Sequence, residues 1–345
     1  MTSNNDVQAT KNFCREKMTD KPDFRIAVLI INWNSSDLLR RCLQCLMNQD
    51  MVQSDIFVLD NNSQNPIPDD MVKAFPEVRF FESKSNLGFA GGNNFLLEKT
   101  GEYPWIALVN PDAFLQADWL SVMYRAITVN PGHDCFVSRL IQVYRQDTLD
   151  GEGDAMHISG LAWRLKNGVL VKKGARKYTE VFSACAAAAL YSREALQTTG
   201  TFDEDFFCYF EDVDLGFRLR LAGYRCLLVP NAVAYHVGSA TVGRQSDFAV
   251  YHGHRNLVWT YVKNMPGALF WILLPAHLLL NIISVIWFLA LGKGRLILRA
   301  KKDALKGLPR MWEKRRWIQK QRRVSARDIW KVLDKSPLPR LGKIW

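Results

Sequence analysis

Residues 206–224 read FFCYFEDVDLGFRLRLAGY and set three carboxylates, Glu211, Asp212 and Asp214, behind a run of aromatic rings. Ionised carboxylates resist leaving water unless they are partnered, so this crowding points to a site. Two adjacent acids in an aromatic setting raise the pKa of at least one, which suits a general base. Asp212 or Asp214 would cap a helix running to Ala222, with Gly223 ending it. Capping accounts for Asp214 and leaves Glu211 and Asp212 for chemistry. The aromatics, Phe210 among them, would shape a wall for a sugar. Other polar clusters end apolar runs: Asn32-Trp33-Asn34, Asp60-Asn61-Asn62 and Asn110-Pro111-Asp112, with His236 closing NAVAYH. Each cluster alone is turn chemistry; three in register mark a ligand site. His236 acquires a metal or diphosphate role where Asp112 lies beside it.

The elements that must position these residues alternate along the chain. FRIAVLIIN, DIFVLD, VRFFES and WIALVN are short apolar runs, as strands covered on both faces would be. Helical patterns separate them, the first being SSDLLRRCLQCLMNQ with Ser35 or Ser36 at its N-cap. This order predicts an α/β fold with an open, mostly parallel twisted sheet and helices on both faces. Ligands in such sheets sit outside the carboxyl ends of the strands, where the three clusters fall. SNLGFAGGNN spaces its glycines as G-x-x-G-G, which is neither the dinucleotide fingerprint nor a P-loop. Gly88, Gly91 and Gly92 would let backbone approach a ligand at a helix N-terminus. Residues 140–180 form a hairpin excursion.

The charge is unevenly spread. Of the net +11, residues 292–345 hold 18 Lys/Arg against 4 Asp/Glu, or +14, leaving −3 for the rest. Residues 268–291 carry no Lys, Arg, Asp or Glu. As one helix they would reach about 36 Å, against a bilayer core of about 30 Å. Pro275, with His277 and Asn281, predicts a broken helix dipping into one leaflet, followed by basic amphipathic helices on an anionic membrane surface. The Trp-studded basic tail directly after an apolar run reads as interfacial, with no nucleic acid as partner. Upstream, His252, His254 and Arg255 in YHGHRN would either serve ordinary surface packing or meet a lipid-linked diphosphate. Seven scattered cysteines argue against a disulfide framework and for a reducing compartment. Cys42 and Cys45 are helix-packing residues. Residues 1–22 read as a flexible leader.

The series IINWN, VLDNNS, NLGFAGGNN, LVNPD, FDEDFFCYFEDVDLGFRLRLAGY and VPNAVAYH resembles the inverting glycosyltransferases of family 2, closest to the bacterial rhamnosyltransferase branch. The resemblance implies a GT-A fold over residues 23–262, with a nucleotide-sugar half at 23–112 and an acceptor half at 113–262. Residues 263–345 would be a membrane-associated helical region. It implies that Asn32, Trp33, Asn34, Asp60, Asn61, Asn86, Gly88, Asn93, Asn110 and Asp112 bind the donor, with Asp60 facing the base. Asp112 would stand in the DxD position and, with His236, hold Mg²⁺ or Mn²⁺. Asn110 replaces the first acid of that motif, which weakens the expected metal site. Asp212, beside Glu211, would be the catalytic base, and Phe210, His252 and Arg255 would face the acceptor. The implied reaction moves a sugar, rhamnose from dTDP-rhamnose in the first instance, to a lipid-linked saccharide at the cytoplasmic face of the membrane during cell-surface polysaccharide synthesis. UDP- or GDP-linked donors are the alternative within enzymes, and a non-catalytic sugar-nucleotide-binding membrane protein is the alternative outside them.

Overall fold

The apolar runs become neighbouring parallel strands because each can bury both faces only between helical layers. The computed structural model describes residues 25–50, 54–172, 177–238 and 246–337; the leader expected at 1–22 lies outside them. The first half runs β1 (Ile26–Asn32), α1 (Ser36–Met47), β2 (Ser54–Asp60), α2 (Asp69–Ala74), β3 (Arg79–Glu82), α3 (Gly88–Lys99) and β4 (Trp105–Val109). The second continues with β5 (Ala113–Leu115), α4 (Trp119–Val129), β6 (Cys135–Gln142), β7 (Arg145–Gly151), β8 (Asp154–Met156) and β9 (Ala162–Arg164). There follow β10 (Thr179–Val181), β11 (Ala188–Ser192), α5 (Arg193–Thr199), α6 (Glu211–Leu221) and β12 (Cys226–His236). Five helices close the described chain: α7 (Asp247–Asn264), α8 (Gly267–Ala290), α9 (Gly294–Lys306), α10 (Leu308–Lys320) and α11 (Ala326–Val332).

Both halves contribute to one sheet of order β10-β12-β6-β11-β4-β1-β2-β3, with β5 on β12 and β7 on β6. β1, β2, β3 and β4 are parallel, as are β6 and β12, while β11 runs antiparallel between β4 and β6. The register pairs Asn32 with Asp60 and Asp60 with Glu82, so the carboxyl ends finish level. Alternate strand residues feed two cores. Val28, Ile30 and Val58 pack with Leu39, Cys42, Leu43 and Leu46 of α1, and Ala27, Leu29 and Phe57 pack on the other face with Ala90, Leu96 and Leu97 of α3. Cys42 is thus a core residue of α1, and all six described cysteines are free.

A third core joins α6 to the C-terminal helices through Phe206, Phe217, Tyr261, Phe270, Leu273 and Leu280. α8 differs from expectation. It is continuous through Pro275, and His277 and Asn281 face the protein: His277 Nδ1 meets the Ser159 carbonyl at 2.8 Å, and Asn281 Oδ1 accepts from Lys301 Nζ at 2.5 Å. Residues 270, 273, 277, 280, 284 and 288 form the buried stripe at helical spacing, which tethers the helix lengthwise to the domain. The opposite face exposes Trp271, Ile272, Leu278, Leu279, Ile282, Ile283, Ile286 and Trp287. By length and composition, α8 is the one helix among the described residues that suffices to cross a membrane.

Candidate active site

Asp112 and His236 meet because the last residue of β12 pairs with the first of β5, His236 opposite Ala113. His236 Nε2 lies 3.3 Å from Asp112 Oδ1, and His236 Nδ1 lies 2.8 Å from Asp150 Oδ2. Burial alone would lower the imidazole pKa, yet the two carboxylates raise it. Burial alone would raise Asp112, yet the hydrogen bond and charge of His236 hold its carboxyl below the usual value. Asp150 in turn pairs with Arg164. Gly151 makes this possible, since a Cβ there would stand 2.2 Å from the Arg164 stem. Arg164 also faces the charges of Asp154 and Asp212. Asp112, His236, Asp150, Arg164 and Asp212 therefore belong to one electrostatic chain, buried at Asp112, Asp150 and His236 and half-buried at Arg164 and Asp212.

A second link is shorter. The Ala186 N–H donates to Asp212 Oδ2 at 3.4 Å, while the next carbonyl, Ala187, accepts from Asn110 N at 2.9 Å. Two consecutive residues at the head of β11 thus touch both the Asn110-Pro111-Asp112 turn and Asp212. The acids 100 positions apart in sequence lie at the mouth of two adjacent strands because β11 is antiparallel to β4, with Ala188 opposite Val109.

The acidic trio divides its roles. Asp212 opens α6, where the helix dipole favours negative charge, and its Oδ1 accepts from Val213 N at 2.8 Å. Burial raises its pKa, partly offset by the Ala186 N–H and by Arg164. Glu211 is buried with Oε2 unpartnered among the described residues. Burial first, then the neighbouring Asp212 charge, push its pKa well up, so Glu211 holds its proton more tightly than an ordinary carboxyl does. Asp214 is no cap. The N-cap is Phe210, held in the left-handed region at φ 68°, and Asp214 lies within the helix as a fully buried ion-pair centre. It accepts from Arg218 Nε at 2.9 Å, Lys263 Nζ at 2.9 Å and Asn264 Nδ2 at 2.8 Å. Gly223 ends the helix as anticipated: its N–H reaches Arg220 O at 3.0 Å and Tyr224 N reaches Leu219 O at 2.9 Å, a Schellman arrangement.

The other expected residues are placed as follows. Asn32 is fully buried with both side-chain polar atoms unpartnered among the described residues, while Trp33 and Asn34 are exposed beside it. Asp60 Oδ1 accepts from Ser63 N at 2.8 Å and its Oδ2 from Ile67 N at 2.9 Å, so its carboxylate organises the following loop. Asn61 and Asn86 brace the turn into α3: Asn61 Oδ1 accepts from Leu87 N at 2.8 Å, and Asn86 Oδ1 from Gly88 N at 2.8 Å. Asn93 faces inward and donates to Phe89 O on its own helix at 2.8 Å. What approaches Gly88 is protein, since a Cβ there would sit 2.4 Å from the Phe207 carbonyl. His252 stacks on Phe207, with centroids 5.4 Å apart, and Arg255 donates to the carbonyls of Asp205 at 2.9 Å and Phe206 at 3.0 Å. His252 and Arg255 thus grip the turn before α6, with Phe210 at its end.

Asp150, Asp154 and Arg164 were not legible as site residues. Their signal was DGEGD at 150–154, where acids alternate with glycine inside a strand-like stretch. Glu152 is consumed elsewhere, by Arg139 at 2.5 Å and Lys166 at 2.6 Å.

The glycosyl transferase family 2 profile matches residues 27–200. A Mycobacterium tuberculosis protein named N-acetylglucosaminyl-diphospho-decaprenol L-rhamnosyltransferase is 26% identical over 250 residues, covering 66% of this chain and 81% of its own. Among solved structures, the mannosyltransferase PcManGT from Pyrobaculum calidifontis, in complex with GDP-Man and Mn²⁺, superimposes with a TM-score of 0.51 at 15% identity over 94% of both chains. GalNAc-T7 with UDP, GalNAc and Mn²⁺ gives 0.57 at 14% identity, over 71% of this chain and about half (48%) of that one. These likenesses fix the fold as GT-A type. The chain belongs to glycosyl transferase family 2.

Proposed function

We propose that the protein is an inverting glycosyltransferase that moves a hexose or deoxyhexose, rhamnose from dTDP-rhamnose in the first instance, onto a lipid-linked saccharide at the cytoplasmic face of a membrane. The observation that carries this reading is the joining of the Asn110-Pro111-Asp112 turn, through Asn110 N, to Asp212 by the consecutive residues Ala186 and Ala187. A leaving-group pole and a basic pole so placed suit a single displacement. The acceptor hydroxyl attacks the anomeric carbon from the face opposite the nucleoside diphosphate. Asp212 takes the hydroxyl proton as the new bond forms, and the diphosphate departs with the electrons of the old one. One displacement inverts the configuration and needs no enzyme nucleophile. Glu211, its pKa pushed up by burial and by the Asp212 charge, is placed to keep a second negative charge away from the base.

The residues fit a divalent cation borne partly by the substrate. Asp112 and His236 offer one oxygen and one nitrogen 3.3 Å apart, and no cluster of three such donors exists among the described residues. Mg²⁺ and Mn²⁺ accept donors of this kind and readily take the remainder from phosphate and water. Asp112 and His236 would hold the ion, which supplies charge neutralisation to the departing diphosphate. Asn32, with unpartnered polar atoms at the end of β1, is suited to meet the donor, with Trp33 and Asn34 beside it.

The Mn²⁺ complexes of the two structural relatives, one with GDP-Man and one with UDP and GalNAc, support the cofactor and donor class. The name of the mycobacterial relative supports rhamnosyl transfer to a lipid-linked saccharide. The exposed apolar face of α8 supports a monotopic attachment, because a helix tethered lengthwise to its domain cannot enter a bilayer alone. Purified protein is to be screened against dTDP-, UDP- and GDP-sugars by thermal shift with and without Mn²⁺, since a ligand selective for the native state raises the melting temperature. A Mn²⁺-enhanced shift with one nucleotide class, followed by transfer to a lipid-linked saccharide, is expected. Absence of any shift with all three would overturn the enzymatic reading in favour of a binding protein for some other partner.

A further inference from the structure

α10 presents Trp312, Arg315, Arg316 and Gln319 along one face, at the i, i+3, i+4, i+7 spacing of a helical stripe. With Arg322 beyond the helix and Gly267 at the first turn of α8, they line an open pocket of about 320 Å³. It is separate from the carboxylate site and contains no acidic side chain. Arg315 is fixed there: it is buried, its Nη1 donates to the carbonyls of Val262 at 2.9 Å and Met265 at 2.5 Å, and its guanidinium lies 4.6 Å from the Phe270 ring centroid. Arg316 and Arg322 have no ion-pair partner among the described residues, and the buried Nη1 of Arg322 lacks any hydrogen bond. Arginine is the side chain whose fork of donors matches phosphate oxygens, and three converging cations without an anion are unfavourable. The discomfort is visible at Arg315, whose pKa is lowered to about 10 by burial and by the charge of Arg322.

The pocket sits at the rim of the apolar face. Trp271 and Ile272, 64% and 67% exposed, stand one turn beyond Gly267, and Trp317 is 49% exposed on α10. Where an apolar helix face and exposed indoles meet arginines, the polar layer at that depth is phosphate. We propose that Arg315, Arg316, Arg322 and Gln319 form a binding site for the phosphate of an anionic phospholipid headgroup, fixing the rotation and depth of the protein at the bilayer. This inference rests on the membrane-surface reading above. The site also lies close to the catalytic helix: Gln319 Nε2 donates to Asn264 O at 3.1 Å, and Asn264 holds Asp214 of α6.

The test uses full-length protein, the double variant Arg316→Gln with Arg322→Gln, and a charge-matched control, Lys320→Gln with Arg323→Gln, outside the pocket. Arg315 stays, since it supports the end of α7. Flotation is measured on phosphatidylcholine vesicles with and without phosphatidylglycerol. Thermal shift is measured with dihexanoyl-phosphatidylglycerol below its micelle concentration and with inorganic phosphate. The pocket variant is expected to lose affinity for the anionic vesicles by about tenfold more than the control pair, the worth of a charge-assisted hydrogen bond. It is also expected to lose the thermal shift that the short-chain lipid gives the wild type. Equal losses in the two double variants, or equal protection by inorganic phosphate, would overturn the lipid assignment. A wild type that floats on no vesicle but keeps an Arg316- and Arg322-dependent shift with the short-chain lipid would retain the pocket and defeat the membrane-surface reading.

Discussion

Asn256 of α7 should control the rate without controlling the donor. It is fully buried, and its amide donates to the carbonyls of Phe206 at 2.9 Å, Cys208 at 3.0 Å and Tyr209 at 2.7 Å. These carbonyls belong to the turn immediately before Glu211 and Asp212, in which Phe207, Tyr209 and Phe210 all have positive φ, at 64°, 67° and 68°. Holding three L-residues there costs about 1–2 kcal/mol each, or roughly 3–6 kcal/mol in all. In Asn256→Ala the Phe206 carbonyl keeps Cys208 N at 2.7 Å and Arg255, whereas Cys208 O and Tyr209 O lose this donor. Two partly buried carbonyls left without it cost up to about 1–3 kcal/mol each. The clamp and the strain it opposes are thus of similar size, and without the clamp the turn should relax and carry Asp212 with it. A shift of about 1 Å at a reacting group can cost about 100-fold in rate. Steady-state kinetics should accordingly give a kcat lower by about 100-fold for Asn256→Ala, with the donor KM unchanged. A kcat within a factor of about two of wild type would refute the reasoning. So would equal losses in kcat and in donor binding, which would mean general unfolding.

Glu211→Gln mimics the protonated side chain and should leave kcat within about threefold of wild type at neutral pH. Because the folded-state pKa of Glu211 is raised, the native state holds this proton after the unfolded chain has lost it. Wild-type stability should therefore fall as pH rises from the ordinary carboxyl value toward the raised one, and Glu211→Gln should flatten that decline in urea titrations run across pH. Asp150→Asn removes the carboxylate that orients His236 Nδ1 and should weaken Mn²⁺ stimulation by about 10–100-fold, read from Mn²⁺ titrations of activity and of thermal shift. Trp271→Glu with Ile282→Glu, on the open face of α8, should abolish flotation on anionic vesicles while the melting temperature changes little, because both side chains are more than half exposed.

The strands of the sheet and the helices between them were legible because an apolar run covered on both faces leaves few readings. The register that brings Asn32, Asp60 and the Asn110 turn to one edge followed from the parallel order. The partners of charge were not legible. Asp214 looked like a cap because its spacing allows one, yet its fate is set by Lys263 and Asn264, some 50 residues away on α7. Asp150 and Arg164 were missed because their meeting depends on a turn at Gly151–Gly153 and on the return of β9, neither of which leaves a periodic trace. His277 and Asn281 suggested a break in an apolar helix, but the sequence does not reveal that Ser159 and Lys301 satisfy them from the domain side. The basic tail was likewise not wholly for the membrane: Arg310 and Lys314 pair with Asp203 and Asp205 ahead of α6.

One substitution bears most directly on the paired poles at residues 112 and 212. In Asp212→Asn the acceptor hydroxyl loses its proton sink, while Asp112, His236 and the ends of β1 and β4 are untouched. Isothermal titration of the nucleotide sugar with Mn²⁺ should give an affinity like that of the wild type. Radiolabelled transfer to the lipid-linked saccharide should fall by about 100-fold or more. Undiminished turnover in Asp212→Asn would contradict the assignment of the base and, with it, the reading of the site.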